Sequence, residues 1–277
     1  MTKTWLITGC SGGFGKLLAH AALARGDNVV VSARDPGTLS KFVAQYPKTA
    51  RAVALDVTKA GDAAKAVALA QDAFGQLDIL VNNAGYGFIG AVEEATPDEY
   101  RPMYETNVFG LIETTRAALP ALRKSRGGRI VNLSSGAGLL GAPGYGYYNG
   151  TKFAVEGLSE ALAGEVAPFG IAVIIVEPGP FRTEFLGRSM SVAKHEIAAY
   201  SETAGKVRAS RPGNDGKQVG DPDKAIKVIL HAIDAKDPPL HLPLGPRAYH
   251  LARTKIANLT KDMEAWETEA IATDFDA

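Results

Sequence analysis

Thr8-Gly9-Cys10-Ser11-Gly12-Gly13-Phe14-Gly15 links a short apolar run, Trp5–Thr8, to a helical pattern over Phe14–Arg25. A glycine-rich turn that ends a first strand and opens a helix presents backbone N–H groups and the positive end of the helix dipole to one point. A pyrophosphate can sit there. Gly9 allows the tight turn, Gly13 lets the backbone approach phosphates, and Gly15 lets helix and strand pack closely. Ser11 and Phe14 complete the loop as candidate contacts. The spacing is G-x-x-x-G-x-G, not G-x-G-x-x-G, so the loop is not a plain match to the dinucleotide fingerprint. Taken alone, it also fits a glycine-rich turn that holds no ligand.

Outward from the loop, β-rich runs alternate with helical segments, the pattern of a parallel sheet covered on both faces. Strands are predicted at Trp5–Thr8, Asn28–Ala33, Arg51–Leu55, Ile79–Asn82, Arg129–Leu133 and Ile171–Val176, with Pro239–Leu244 as a last edge strand. Asp35 before Pro36 predicts a capped helix start, and Asp62–Phe74 a helix closed by Gly75. Thr96-Pro97-Asp98-Glu99 reads as a capping box. Pro102 predicts a break or a kink, with a short helix and then a longer one over about 103–122, and a further helix spans Tyr148–Val166. The fold class is α/β: a doubly wound, Rossmann-like, mostly parallel seven-stranded sheet in a single domain covering residues 1–277. Residues 184–220 are polar and break the rhythm, which predicts a long loop acting as a substrate lid. Residues 246–277 form a helical C-terminal extension.

Composition narrows the function classes. Apolar residues make up 46% of the 277, enough for a large core. Thirty Lys+Arg balance thirty Asp+Glu, which argues against a nucleic-acid binder or a polybasic membrane anchor. Cys10 is the lone cysteine, so an internal disulfide is excluded, and it reads as a small buried loop residue. The five histidines are scattered without metal-ligand spacing, and no metal site is expected. The longest apolar run, Ile171–Val176, is too short to span a bilayer. Met1-Thr2-Lys3 leads straight toward a core strand, so no leader is expected and the location is read as cytoplasmic.

The end of the second strand, Val31-Ser32-Ala33-Arg34-Asp35, bears on the choice of cofactor. A free ribose 2′-hydroxyl calls for a carboxylate there, and a 2′-phosphate for an arginine. Ala33 stands at the carboxylate position and Arg34 follows, which favours NADP(H). Asp35 is the argument for NAD(H), although its role as an N-cap before Pro36 competes. Further along, Tyr148-Asn149-Gly150-Thr151-Lys152 sets a tyrosine and a lysine four apart on one helix face. It follows a strand ending Val131-Asn132-Leu133-Ser134-Ser135, which brings hydroxyls to the carboxyl edge of the sheet.

These pieces together resemble the short-chain dehydrogenase/reductase family, in its single-domain branch. The likeness runs from Thr8 to Thr183. It rests on the glycine loop, Leu55-Asp56-Val57, Asn82-Asn83-Ala84-Gly85, Asn107, Ser135, Tyr148-x-x-x-Lys152 and Pro178-Gly179, in order and at matching spacing. The resemblance implies that Tyr148 is the general acid toward a carbonyl oxygen. It implies that Lys152 lowers the tyrosine pKa and binds the nicotinamide ribose, and that Ser135 donates to the substrate oxygen. Asn107 would hold a relay water, Asp56 and Val57 would meet the adenine, and Asn83, Ala84 and Gly85 would line the cofactor channel. Pro178, Gly179 and Thr183 would approach the carboxamide. On the residues alone, Ser134 competes with Ser135, and Asn107 could bond only its own backbone.

A wall of Tyr86, Phe88, Leu139, Leu140, Tyr145, Phe181, Phe185, Leu186 and Met190 predicts a hydrophobic ketone, aldehyde or secondary alcohol as substrate. The family likeness extends to NADP-linked carbonyl reductases and hydroxysteroid dehydrogenases, and implies a homodimer or homotetramer. An NAD-dependent hydroxysteroid-type dehydrogenase is one alternative, and a catalytically silent NADP-binding sensor another, against which retention of both Tyr148 and Lys152 counts. A related lyase of the halohydrin-cleaving type would tend to lose the glycine loop and replace the lysine by arginine, and neither is the case here.

Overall fold

The computed structural model describes residues 2–125 and 127–275. Strands β1 (Thr4–Ile7), β2 (Asn28–Ala33), β3 (Ala50–Ala54) and β4 (Ile79–Asn82) alternate with α1 (Gly13–Ala24), α2 (Ser40–Gln45) and α3 (Asp62–Phe74). After β5 (Gly87–Ile89) come α4 (Pro97–Tyr104), α5 (Gly110–Leu122), β6 (Arg129–Leu133), α6 (Gly146–Val166) and β7 (Ala172–Pro178). The remainder holds α7 (Phe185–Arg188), β8 (Met190–Val192), α8 (Lys206–Asn214), α9 (Pro222–Asp234), β9 (His241–Leu244) and α10 (Gly245–Ala270).

Seven parallel strands pair in the order β3-β2-β1-β4-β6-β7-β9. Because strand side chains alternate between faces, Trp5 and Ile7 join one core with Leu18 of α1 and Ile229 of α9. Leu6 between them joins the other, with Val67 of α3 and Leu122 of α5. The strand order reverses direction between β1 and β4, and that crevice at the carboxyl ends is where doubly wound sheets hold ligands.

Three expectations need correction. Asp35 does cap, accepting from Gly37 N at 2.9 Å, but the element it opens is a 3-10 turn over Pro36–Leu39. Pro102 does not end a helix. It lies inside α4, the chain widens into a π turn over Glu105–Phe109, and α5 continues from it. Residues 184–220 are not a bare loop. Within them β8 pairs in parallel with β5, and the buried carboxylate of Glu94 accepts from Ile197 N at 3.0 Å and Arg208 Nη2 at 2.6 Å. Arg211 belongs to α8 and donates to Leu186 O and Gly187 O at 2.6 and 2.7 Å. The polarity of this segment serves contacts to the domain.

Candidate active site

The glycine loop is fixed from the fourth strand. Asn83 Nδ2 donates to Thr8 O at 2.8 Å and to Gly9 O at 3.1 Å, while Thr8 Oγ1 accepts from Asn83 N and Ala84 N at 2.9 Å each. Gly9 and Gly13 have φ of 71° and 55°, a region that side-chain-bearing residues rarely enter. A Cβ on Gly15 would stand 2.3 Å from Asn83 Nδ2 and 2.7 Å from Gly9 O, so the approach of α1 to the strand end requires that glycine. Asn83 thus anchors the loop as well as lining the cleft, a role that its position after β4 did not reveal.

Above the loop lies a cleft of about 1490 Å³. It is lined by Gly9, Ser11, Gly13 and Phe14, by Arg34, Asp56 and Val57, by Asn83, Ala84 and Gly85, and by Ser135, Tyr148, Lys152, Pro178, Gly179 and Thr183. Gly15 lies behind this lining and acts through the packing just described. Asn107 also stands behind it. The π turn aims its amide at the strand-end loop, where Nδ2 donates to Tyr86 O at 2.8 Å and to Thr151 Oγ1 at 3.1 Å, and Oδ1 accepts from Tyr86 N. Its bonds therefore go to the loop after β4 and to α6, not to its own turn of helix.

Two residues four apart on α6 face the cleft. Tyr148 is 7% exposed and packs among Phe88, Met103 and Phe185. Burial pushes its phenol up to about 12, against the opposing pull of Ser135. Lys152 Nζ donates to Leu133 O at 2.6 Å and lies 5.9 Å from the centre of the Tyr148 ring. Burial pulls its ammonium down to about 8, and the nearby Glu156 works against that shift. The expected lowering of the tyrosine by the lysine is not found: burial dominates, and the opposing pull comes from Ser135. Ser135 Oγ accepts from Ala137 N at 3.1 Å at the edge of the cleft. Ser134, the competing hydroxyl, instead donates to the buried Glu156 carboxyl.

Asn149, passed over in the sequence, clamps the wall. Its Nδ2 donates to Ala137 O at 2.7 Å and to Leu140 O at 3.3 Å, and its Oδ1 accepts from Ala142 N. Phe88 and Leu139 drop out of the predicted wall, Phe88 being core beneath Tyr148. Tyr86, Leu140, Tyr145, Phe181, Phe185, Leu186 and Met190 remain in it. The cleft is less apolar than the sequence suggested, since Arg101, Glu105, Arg188 and Arg247 also line it. Glu184 Oε2 accepts from Gly13 N at 3.1 Å, so a carboxylate holds an amide that the sequence assigned to pyrophosphate. No sequence signal pointed to that contact across 171 residues.

One turn beyond Lys152, Glu156 meets Glu177 and His241, with ligand-type atoms all within 4.8 Å of one another. His241 Nδ1 stands 2.7 Å from Glu177 Oε1. Burial pushes both carboxyls up to about 7. His241, read as one of five scattered histidines, is therefore part of a cluster.

Fold and site together define a nicotinamide-dependent oxidoreductase. A sequence model described as short chain dehydrogenase matches residues 3–192, and the chain belongs to that family. It is 38% identical over 274 residues to "Oxidoreductase BOA17" of Botryotinia fuckeliana, covering 99% of this chain and 100% of that one. It is 37% identical to a 3-ketodihydrosphingosine reductase of Bacteroides thetaiotaomicron, with 87% of each covered. A crystal structure of a short-chain dehydrogenase from Streptomyces avermitilis superposes with a TM-score of 0.92 at 42% identity, covering 99% of this chain and 100% of that one. Of more distant structures, a Brucella melitensis 3-ketoacyl-(acyl-carrier-protein) reductase carries NADH, at 29% identity, 89% and 98% coverage and TM-score 0.75. A Burkholderia cenocepacia short chain dehydrogenase carries NADP, at 25% identity, 95% and 97% coverage and TM-score 0.74. No helix among the described residues is long and apolar enough to cross a membrane.

Proposed function

We propose that the protein interconverts hydrophobic ketones or aldehydes with the corresponding secondary or primary alcohols, using NADP(H). The observation that carries this reading is the presence of Tyr148, Ser135 and Lys152 in the same cleft as the glycine loop and Arg34. The dinucleotide supplies or accepts the hydride when bound. A phenol held up at about 12 stays protonated through the neutral range, so Tyr148 is the proton donor to the carbonyl oxygen in reduction. Ser135 donates a hydrogen bond to the same oxygen as negative charge develops on it. Lys152, while protonated, offers positive charge beneath the phenol and a donor to ribose hydroxyls.

The residues fit an NADP(H) cofactor. Ala33 leaves no carboxylate at the end of β2, and Asp35 is engaged as a cap. Arg34 is exposed on the cleft and, among the described residues, makes no side-chain hydrogen bond or ion pair, which leaves its guanidinium open to a 2′-phosphate. Asp56 and Val57 would flank the adenine, and Pro178, Gly179 and Thr183 the carboxamide. Residues 184–220 act as the substrate lid, placing Phe185, Leu186 and Met190 against the apolar part of the substrate. The reduction of a long-chain ketone by the Bacteroides relative supports this substrate class.

The test is a titration with NADPH and NADH, followed by a panel of aryl and long-chain alkyl ketones monitored at the reduced nicotinamide band. NADPH should bind more tightly than NADH. Arg34→Ala should weaken NADPH by about 10- to 100-fold, the worth of a lost charge-assisted bond, and leave NADH nearly unchanged. Equal affinities in the parent overturn the phosphate assignment. Tight NADPH binding with no turnover of any carbonyl points to the silent sensor.

A further inference from the structure

Helix α10 runs for 26 residues, yet only its first turns rest on the domain. Ala248 is buried, and Leu251 packs over Gly136. From Lys255 through Phe275 every residue is exposed. A helix of that length with nothing beneath it is marginal in water, because most helical stability comes from packing an amphipathic face. This projecting part nevertheless carries large apolar side chains: Ile256, Leu259, Met263 and Trp266 are 65, 51, 63 and 65% exposed. Their intervals are three, four and three, and Ala252 and Ala270 continue the alternation at either end. That is the a/d spacing of a helix pair, about 21 Å long between Ile256 and Ala270 at 1.5 Å per residue.

The flanks of the stripe identify the occupant. One flank carries Arg253, Thr260 and Glu267, and the other Lys255, Asp262 and Glu269, so each runs from positive to negative along the helix. Parallel pairing with an identical helix would set Asp262 beside Glu267 of the other copy, which is repulsive. Antiparallel pairing centred near Lys261 reverses this. Ile256 then meets the second copy's Trp266, Leu259 meets its Met263, Arg253 meets its Glu267 and Lys255 its Glu269. Of the charged flank residues only Asp262 faces its own kind, at the axis, where Thr260 also meets Thr260 of the second copy. Antiparallel helix dipoles add to the preference. The acidic end, with Asp262, Glu264, Glu267 and Glu269, is ill suited to an anionic lipid surface.

We infer that α10 is a self-association element, pairing antiparallel with α10 of a second copy about a two-fold axis near residue 261. A two-fold contact of this kind is isologous and closed, which requires the self-complementary surface described above. It is separate from the cleft, and it does not depend on the substrate or cofactor assignment.

Sedimentation velocity on the full chain tests it. Apart from Lys255, whose Nζ stands 5.8 Å from the centre of the Phe153 ring, no side-chain hydrogen bond or ion pair ties the substituted positions to the domain among the described residues, so their variants should fold, as circular dichroism will verify. Leu259→Glu with Met263→Glu should lower the assembly by one step, from dimer to monomer or from tetramer to dimer. Glu267→Lys with Glu269→Lys should weaken assembly alone, and so should Arg253→Glu with Lys255→Glu. Mixing the two charge variants should restore it. Trp5 is fully buried, so a red shift of tryptophan emission on dilution should report exposure of Trp266. A monomeric parent, or charge variants that assemble like the parent and gain nothing on mixing, overturns the inference. Binding to phosphatidylserine vesicles without self-association also overturns it and assigns the stripe to a membrane surface.

Discussion

Two consecutive turns of helix α6 place buried ionisable groups in opposite circumstances. Tyr148 and Lys152 look into a cleft of about 1490 Å³, whereas Glu156 turns toward Ser134, Glu177 and His241 behind the sheet edge. Desolvation is the leading cause of the shift at all four acids and bases: up for Tyr148, Glu156 and Glu177, down for Lys152. Perturbed ionisation alone therefore does not mark the reacting groups. What separates the two turns is access, because only the first opens onto space that a ligand can fill.

The comparison is broken most directly at Tyr148. Replacing it with Phe removes the proton donor while keeping the ring, and should lower kcat/KM for ketone reduction by about 10²- to 10⁴-fold. NADPH affinity should change little. Turnover near the parent's would place the proton donor elsewhere.

A pH profile sharpens the contrast. Lys152 loses its charge near pH 8, so kcat/KM for reduction should hold below that value and fall as the pH rises through it. The fall should approach tenfold per unit if the charge is essential. A profile flat from pH 6 to 10 would separate Lys152 from the chemistry.

The second turn should show its effect in stability. Both carboxyls are raised to about 7, so the folded protein holds more protons than the unfolded chain from the ordinary carboxylate range up to about 7. Stability contributed by the pair is therefore present at acid pH and lost as pH rises through 7. Glu177→Gln removes one acid, and should raise stability at pH 8 by roughly 1–2 kcal/mol with little change at pH 5. Thermal melts at the two pH values check it, and an unchanged pH slope refutes the account.

The smallest effect concerns Glu184. Its carboxylate on Gly13 N must give way to pyrophosphate, so Glu184→Gln should tighten NADPH by about 2- to 5-fold, in the range of a partly exposed charge contact. Calorimetric titration at two salt concentrations would show the gain shrinking as salt rises.

The strands were legible because their apolar runs are short, continuous and bounded by turns. Asn28–Ala33, Ile79–Asn82 and Arg129–Leu133 fall where the pattern put them, as does the Asp62–Phe74 helix. The segment after Thr183 was not legible, since its order comes from distant partners. Glu94 reaches Ile197 and Arg208 from more than a hundred residues away, and β8 exists only because β5 is beside it. Pro102 misled for the opposite reason: a local rule about helix breaking was overridden by a π turn that carries the chain into α5.

By itself, the sequence determined the alternation of strands and helices, the glycine turn at the end of β1, and the four-residue offset that puts Tyr148 and Lys152 on one helix face. These follow from local periodicity and from residue types with special backbone freedom, which a linear string records. Only the tertiary structure decided that Asn83 braces the glycine loop, that Ser134 serves Glu156 while Ser135 meets the cleft, and that burial dominates the phenol of Tyr148. Those outcomes depend on which groups water can still reach and which neighbours a side chain finds across the sheet, and both are set by packing.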